Sequence, residues 1–211
     1  MTHGGRIGEG GSGETITVGF ASSSLGTVLV AATLKGIRFV KIGDDAASLR
    51  DELWRQLAGG NAGVNVGVNV GVADGVADGV ADGVADGVDA RVDATADALA
   101  DSVVRLIDEP SGRFDASLDV RGTPFQQTVW QALREIPVGS TLTYAQLAAK
   151  IGRTSAIRAV ARACATNELA VIIPCHRVIG SDGSLTGYRW GISRKKALLE
   201  REARKTFSIA E

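Results

Sequence analysis

Hydrophobic positions alternate with polar or small ones from Ile16 to Lys41. Ile16, Val18 and Phe20 set the period, Val28, Val30, Ala32 and Leu34 repeat it, and Ile37, Phe39 and Lys41 continue it beyond Lys35-Gly36. A period of two belongs to strands with one buried face, and the short Gly-bearing connections predict an antiparallel meander. The period then lengthens. Asp44 or Asp45 is placed to cap a helix whose apolar stripe is Leu49, Leu53, Trp54 and Leu57. Helical spacing returns over 96–108, with Leu99, Val103, Leu106 and Ile107 on one face, and Glu109-Pro110-Ser111-Gly112 ends it. Residues 114–120 read as a short extended link. Nothing in this half has the look of a catalytic constellation.

Two stretches break the pattern. Residues 1–13 are Gly-rich and polar, the composition of a disordered tail. Residues 63–88 read Gly-Val-Asn-Val twice and then Gly-Val-Ala-Asp four times, with glycine at every fourth position from Gly63 to Gly87. Each interior glycine opposes a helix by about 1 kcal/mol. As a strand, the four-residue period puts valine and aspartate on one face, which is not a core face. A flexible insert is expected. The aspartates lack the alternation that a calcium loop requires.

The second half is helical. Thr123-Pro124-Phe125-Gln126 combines an N-cap, proline at the first helical position and a capping-box glutamine. Phe125, Val129, Leu133 and Ile136 follow as one stripe, stopped by Pro137 and Gly139. Thr143-Tyr144-Ala145-Gln146 repeats the capping box, and that helix runs to Ile151 before Gly152 turns the chain. Thr154 or Ser155 is expected to open the next helix, Ala156 to Thr166, ended by Asn167 in a left-handed conformation. This is a helix-turn-helix outline. In its second helix Ile157, Val160, Ala161 and Cys164 share the core face, while Arg158 and Arg162 share the other with the small Ala159 between them. That basic face is either merely solvated or a binding surface. A last helix, from Ser193 to about Lys205, carries Leu198 and Leu199, and Glu202 falls on the same apolar side. An inward acid needs a partner.

Charge sharpens the division. From Arg121 onward there are 14 Lys and Arg against 6 Asp and Glu, whereas the first 120 residues hold 9 and 18. A basic second half points to a polyanionic partner. The two cysteines, Cys164 and Cys175, are too few for a disulfide framework or a four-cysteine zinc site, so no metal is expected. No long apolar span or signal region stands in the sequence, and a cytoplasmic protein with reduced thiols is expected.

The apolar run Leu169–Ile173 reads as a buried strand or extended segment, and Pro174 sets a bend at its end. Cys175 and His176 follow at once. A free cysteine is usually a small buried hydrophobe, and Cys-His alone does not decide between that reading and a nucleophile. The flanking residues do. Pro174-Cys175-His176-Arg177-Val178 resembles the motif of the methylated-DNA–protein-cysteine methyltransferases, the O6-alkylguanine-DNA alkyltransferases. The likeness runs from Arg121 to Glu202, through Arg-Gly-Thr-Pro-Phe-Gln-Gln-Thr-Val-Trp at 121–130, Ile157-Arg158-Ala159-Val160, Asn167 and Gly187-Tyr188-Arg189-Trp190-Gly191. It is most similar to the alkyltransferase half of the bacterial adaptive-response regulators.

The resemblance implies an α+β protein: a small ribonuclease-H-like antiparallel sheet domain over 14–120, with the insert 63–88, then a mainly helical, winged-helix-like DNA-binding domain over 121–211. It implies irreversible, stoichiometric transfer of a methyl group from guanine O6, with thymine O4 as a further candidate, in duplex DNA to Cys175. A thiolate suits attack on saturated carbon. By the same resemblance His176, held by Glu202, takes the thiol proton through a water. Asn167 fixes the bend around Cys175, and Tyr144 contacts the flipped nucleotide and helps protonate the departing guanine. Ala159 lets the helix into the minor groove, Arg158 fills the gap left by the flipped base, and Arg162 shares that face. Val178 and Tyr188 line the base pocket, with Arg189 at a place where other family members have a smaller residue. No cofactor is implied, and the partner is duplex DNA carrying O6-alkylguanine, bound by a monomer. The alternative is an alkylation-sensing transcriptional regulator; the full regulators carry a further N-terminal zinc-cysteine and DNA-binding region that this sequence does not show.

Overall fold

The alternating segments form β1 (Glu14–Ser23), β2 (Gly26–Thr33) and β3 (Gly36–Gly43), an antiparallel meander. The computed structural model describes residues 14–59, 66–69, 88–110 and 112–208. Helix α1 (Ala46–Gly59) begins where Asp45 accepts the backbone N–H of Ser48. Two further strands, β4 (Val66–Asn69) and β5 (Val88–Val92), pair in parallel, and β5 lies parallel to β1, so the sheet is mixed, in the order β3-β2-β1-β5-β4.

Strand β4 falls inside the expected flexible insert. The physical reason is visible in the Gly-Val-Asn-Val copies, where valine recurs at every second position from Val64 to Val72. That is strand spacing, unlike the Gly-Val-Ala-Asp copies that follow. The rest of the insert to Gly87 lies outside the described residues, as does the expected disordered tail 1–13.

The alternation predicts one buried face, but both faces are covered. Val28 to Ala32 are buried without a break. On one side Leu29, Ala31 and Phe39 pack with Leu49 and Leu53 of α1. On the other, Val28, Val30 and Val40 pack with Ala100, Val103 and Ile107 of α2 (Ala94–Asp108), and the same core continues into the second half. A register irregularity at Ala31/Ala32 sends Ile37 and Phe39, two residues apart, into opposite cores. Helix α2 rests directly on β1. A Cβ on Gly19 would lie 2.1 Å from the carbonyl carbon of Ala96, and Phe20 N–H donates to Asp97 Oδ1 at 2.8 Å.

The extended link runs along the sheet edge. Ile37 N–H donates to Ser117 O at 2.9 Å and Asp119 N–H to Ile37 O at 2.8 Å. The second half then comprises α3 (Pro124–Arg134), β6 (Leu142–Thr143), α4 (Tyr144–Lys150), α5 (Ile157–Ala165), a 3₁₀ turn (Cys175–Arg177), β7 (Val178–Ile179) and α6 (Ile192–Ser208). Thr123 with Gln126 and Thr143 with Gln146 both close capping boxes, and Gly152 makes the helix-turn-helix turn at φ +68°.

Three local expectations are corrected. Helix α5 starts at an Ala156 N-cap with no side-chain cap, so neither Thr154 nor Ser155 opens it. Ile157 is 42% exposed at its first turn, and Ala163 takes the core place beside Val160 and Cys164. Leu169 makes an isolated parallel bridge to Val40, residues 170–173 then form turns and a bend rather than a strand, and the positive φ belongs to Val171, at 67°, and not to Asn167. The segment is buried because it folds back on itself: Ile173 N–H donates to Leu169 O at 3.0 Å.

Gly19→Ala should destabilise the fold by about 3 kcal/mol, the upper end of overpacking, because the obstacle is helix backbone and cannot rotate away. For a chain of this size that lowers Tm by about 6–12 °C. An unchanged Tm would mean that α2 does not bear on β1 at this point.

Candidate active site

The site is assembled from the edge of β3 outward. Val40 N–H donates to Glu168 O at 2.8 Å and Ala170 N–H to Val40 O at 3.1 Å, which pins the chain just after α5 to the sheet. Asn167, 1% exposed, lies immediately before this anchor. Its Nδ2 donates to Ile173 O at 2.8 Å and lies 3.2 Å from Cys175 Sγ, while its Oδ1 accepts from Leu169 N–H at 2.9 Å. One amide thus braces both limbs of the turn and touches the thiol. Cys175 is 6% exposed. Burial pushes its thiol up to about 11, against the hydrogen bond from Asn167 and the positive charge of Lys195. The resting sulfur is a thiol.

Cys175 and His176 sit in a 3₁₀ turn, not on an extended backbone, so their side chains are set by the helical turn rather than by strand alternation. His176 is fully buried, and its Nε2 lies 2.8 Å from Glu202 Oε1. Arg177 grips the same carboxylate, with Nε 3.0 Å from Oε2 and Nη2 2.9 Å from Oε1, and Gly139 N–H donates to Oε2 at 3.1 Å. Burial pushes the Glu202 carboxyl up, but the hydrogen bonds from His176 and Arg177 outweigh it and hold the group down at about 2. An ionised Glu202 accepts, so His176 carries its proton on Nε2. Burial holds the imidazole below its ordinary value, hence neutral, and its Nδ1 has no hydrogen-bond partner among the described residues. That nitrogen is a free base inside the core.

Helix α6 brings a second group. Lys195 is fully buried, and its Nζ donates to Val178 O at 2.6 Å and Thr186 O at 3.2 Å. It lies three residues before Leu198 and seven before Glu202, so the spacing that turned Glu202 inward also marked Lys195. Sequence reasoning did not use that signal, nor did it give Arg177 of the motif a role.

The parallel ladder of β6 and β7, Leu142 with Val178 and Thr143 with Ile179, sets Tyr144 beside the segment leaving the cysteine turn. Tyr144 Oη lies 3.4 Å from Thr186 O, and burial pushes its hydroxyl up to about 12. Tyr188 meets His176 edge-on at a centroid distance of 6.4 Å and Trp190 at 5.2 Å. Val178 is buried beneath them. Arg158, Ala159 and Arg162 are exposed on α5, whose inner face carries Cys164, pushed up to about 12 by burial. Arg189 is not in this group. Its guanidinium lies 2.7 Å from Glu168 and reaches Glu52 of the first half at 3.3 Å.

Residues 124–204 match the family described as 6-O-methylguanine DNA methyltransferase, DNA binding domain. The chain is 40% identical over 195 residues to the bifunctional transcriptional activator/DNA repair enzyme Ada of Escherichia coli, covering 92% of this chain and 47% of that protein. It is 57% identical over 89 residues to the methylated-DNA–protein-cysteine methyltransferase of Mycobacterium bovis, covering 42% and 54%. The chain spans about half the length of these curated relatives. The crystal structure of Mycobacterium tuberculosis OGT in complex with DNA superposes with a TM-score of 0.63 at 30% identity, covering 90% of this chain and 94% of that one. The two-part α+β fold of this chain is therefore shared with that structure. The chain belongs to the methylated-DNA–protein-cysteine methyltransferase family.

Glu202, held below its ordinary value of 4.5, contributes stability that is full above that pH and is lost as pH falls toward about 2. Glu202→Gln should cost about 3–5 kcal/mol at neutral pH, because Arg177 is left with a buried, uncompensated charge. It should also flatten the acid limb of denaturant stability. His176, lowered by burial, adds to the acid loss in both proteins. Parallel acid limbs would show that Glu202 is not ionised in the fold.

Proposed function

We propose that this protein repairs DNA directly, moving a methyl group from O6 of guanine in duplex DNA to Cys175. The observation that carries the proposal is the buried Cys175 thiol on Asn167, next to the Glu202–His176 pair whose Nδ1 is free to accept a proton. A thiol lifted to about 11 is a poor nucleophile at neutral pH, so it must lose its proton as it attacks. That proton passes to His176 Nδ1 through a bridging water, and the fixed charge of Lys195 favours the thiolate. Sulfur attacks the methyl carbon, the carbon–O6 bond breaks, and its electron pair stays on the guanine. Tyr144 donates a proton to the departing base and is reprotonated from His176. The balance closes without a cofactor or metal. The thioether has no neighbour able to hydrolyse it, so one transfer consumes one protein molecule.

The base must leave the stack to reach a thiol this deep. Arg158, Ala159 and Arg162 form the face that enters the minor groove, with Arg158 filling the gap. Val178 and Tyr188 line the pocket for the extruded base. The division of labour is a scaffold over 14–120 and a DNA-binding, alkyl-transfer domain over 121–211, acting as a cytoplasmic monomer. A regulatory role is the second reading, favoured by the similarity to Ada, of whose length the match takes in 47%.

Incubation with a duplex containing O6-methylguanine should yield one methyl group per molecule, located on Cys175 by peptide mass. Cys175→Ala should lose transfer and keep duplex binding, which rests on phosphate contacts, while Cys164→Ala should keep both. Methyl on Cys164, or turnover beyond one equivalent, would overturn the assignment. Arg158→Ala should slow repair of duplex DNA by about tenfold or more and spare attack on a free alkylated base, since extrusion costs a few kcal/mol that only the duplex incurs. Equal slowing on both would move Arg158 from extrusion to folding or chemistry.

A further inference from the structure

A polar cluster away from the thiol joins the two halves. Lys41 of β3 is fully buried, and its Nζ donates to Glu52 Oε1 at 2.7 Å and Gln56 Oε1 at 2.9 Å, both on α1. Arg189 Nη2 reaches the same two oxygens at 3.3 and 3.4 Å, and its Nη1 donates to Glu168 Oε1 at 2.7 Å. The ends of this bridge are placed tellingly in the chain. Glu168 follows Asn167, whose amide touches Cys175 Sγ, and Arg189 follows Tyr188, which meets the His176 ring. We propose that Arg189 is a positioning residue for transfer: by tying Glu168 to Glu52 it fixes the backbones of Asn167 and Tyr188 against the sheet, on two sides of the thiol.

The geometry fits arginine in particular. A planar fork can hand separate N–H groups to two carboxylates, where a lysine offers a point charge. The cluster is also redundant for folding. With Arg189 removed, Glu52 still pairs with buried Lys41, and Glu168 is still held through its backbone carbonyl by Val40 N–H. What is lost is the tie between the two site-bearing segments. The titratable groups that face the thiol, Tyr144, Cys164, His176, Tyr188 and Lys195, are all retained in the variant, so the effect on Cys175 comes from the placing of Asn167 and Tyr188 and not from a charge removed.

The role in transfer rests on the function proposed above; the control of the thiol does not. Arg189→Met should slow methyl transfer about tenfold on duplex and free base alike, since misplacing a reacting group by an ångström costs up to about a hundredfold. Duplex affinity should not change. The rate of Cys175 alkylation by iodoacetamide, followed against pH in the Cys164→Ala background, should shift to higher pH as the Asn167 hydrogen bond loosens. Glu168→Gln should give the same shift, the double variant should add little to either, and Arg189→Lys should restore part of it. A lowered Tm with an unchanged transfer rate per folded molecule and an unchanged thiol profile would overturn the proposal and leave a structural ion cluster. If the wild type forms no methyl-Cys175, the proposed function falls, and the iodoacetamide profile alone decides the role of Arg189.

Discussion

An ionised carboxylate with 2% exposure is the constraint around which the second half is built. Left unpaired at that depth, Glu202 would cost on the order of several kcal/mol. Its donors come from separate places in the chain: Gly139 from the loop after α3, His176 and Arg177 from the cysteine turn, while Glu202 itself rides on α6. Arg177 also donates to Ile136 O at 2.6 Å, at the end of α3. Satisfying one charge therefore clamps three elements together, and the same clamp decides which nitrogen of His176 carries a proton.

A second brace fixes the other flank of the thiol. Asn167 is bonded to Leu169, Ile173 and Cys175, and the strand β3 holds the residues that follow it. The sheet of the first half thereby sets the floor on which the cysteine turn stands. The ladder of β6 and β7 carries the same order to Tyr144. Cys175, His176 and Tyr144 are thus placed by side-chain bonds from Asn167 and Glu202 together with backbone ladders to β3 and between β6 and β7.

Local rules made much of this legible. The capping boxes at Thr123 and Thr143, the glycine turn at Gly152 and the inward face of α6 follow from short-range chemistry that tertiary contacts do not override. The failures are long-range. Residues 169–173 have the composition of a strand, but Asn167 and Val40 claim their hydrogen-bonding groups and fold them into turns. Ile157 belongs to the apolar stripe of α5 by spacing, yet the first turn of that helix projects beyond the core. Arg189 stands in a motif with Tyr188, and only its partners Glu52 and Glu168, far apart in sequence, show which way it points. Lys195 was open to the same helical count as Glu202, but a lysine reads as surface until its carbonyl acceptors are seen.

The depth of Cys175 also governs what the protein ignores. Peroxides and soluble electrophiles react with thiolates that they can reach. The sulfur of a buried residue, protonated at neutral pH, offers them little access and no charge. The burial that makes the thiol sluggish is thus its shelf life: a protonated sulfur held on Asn167 and shut in by the fold outlasts reagents that act from solution.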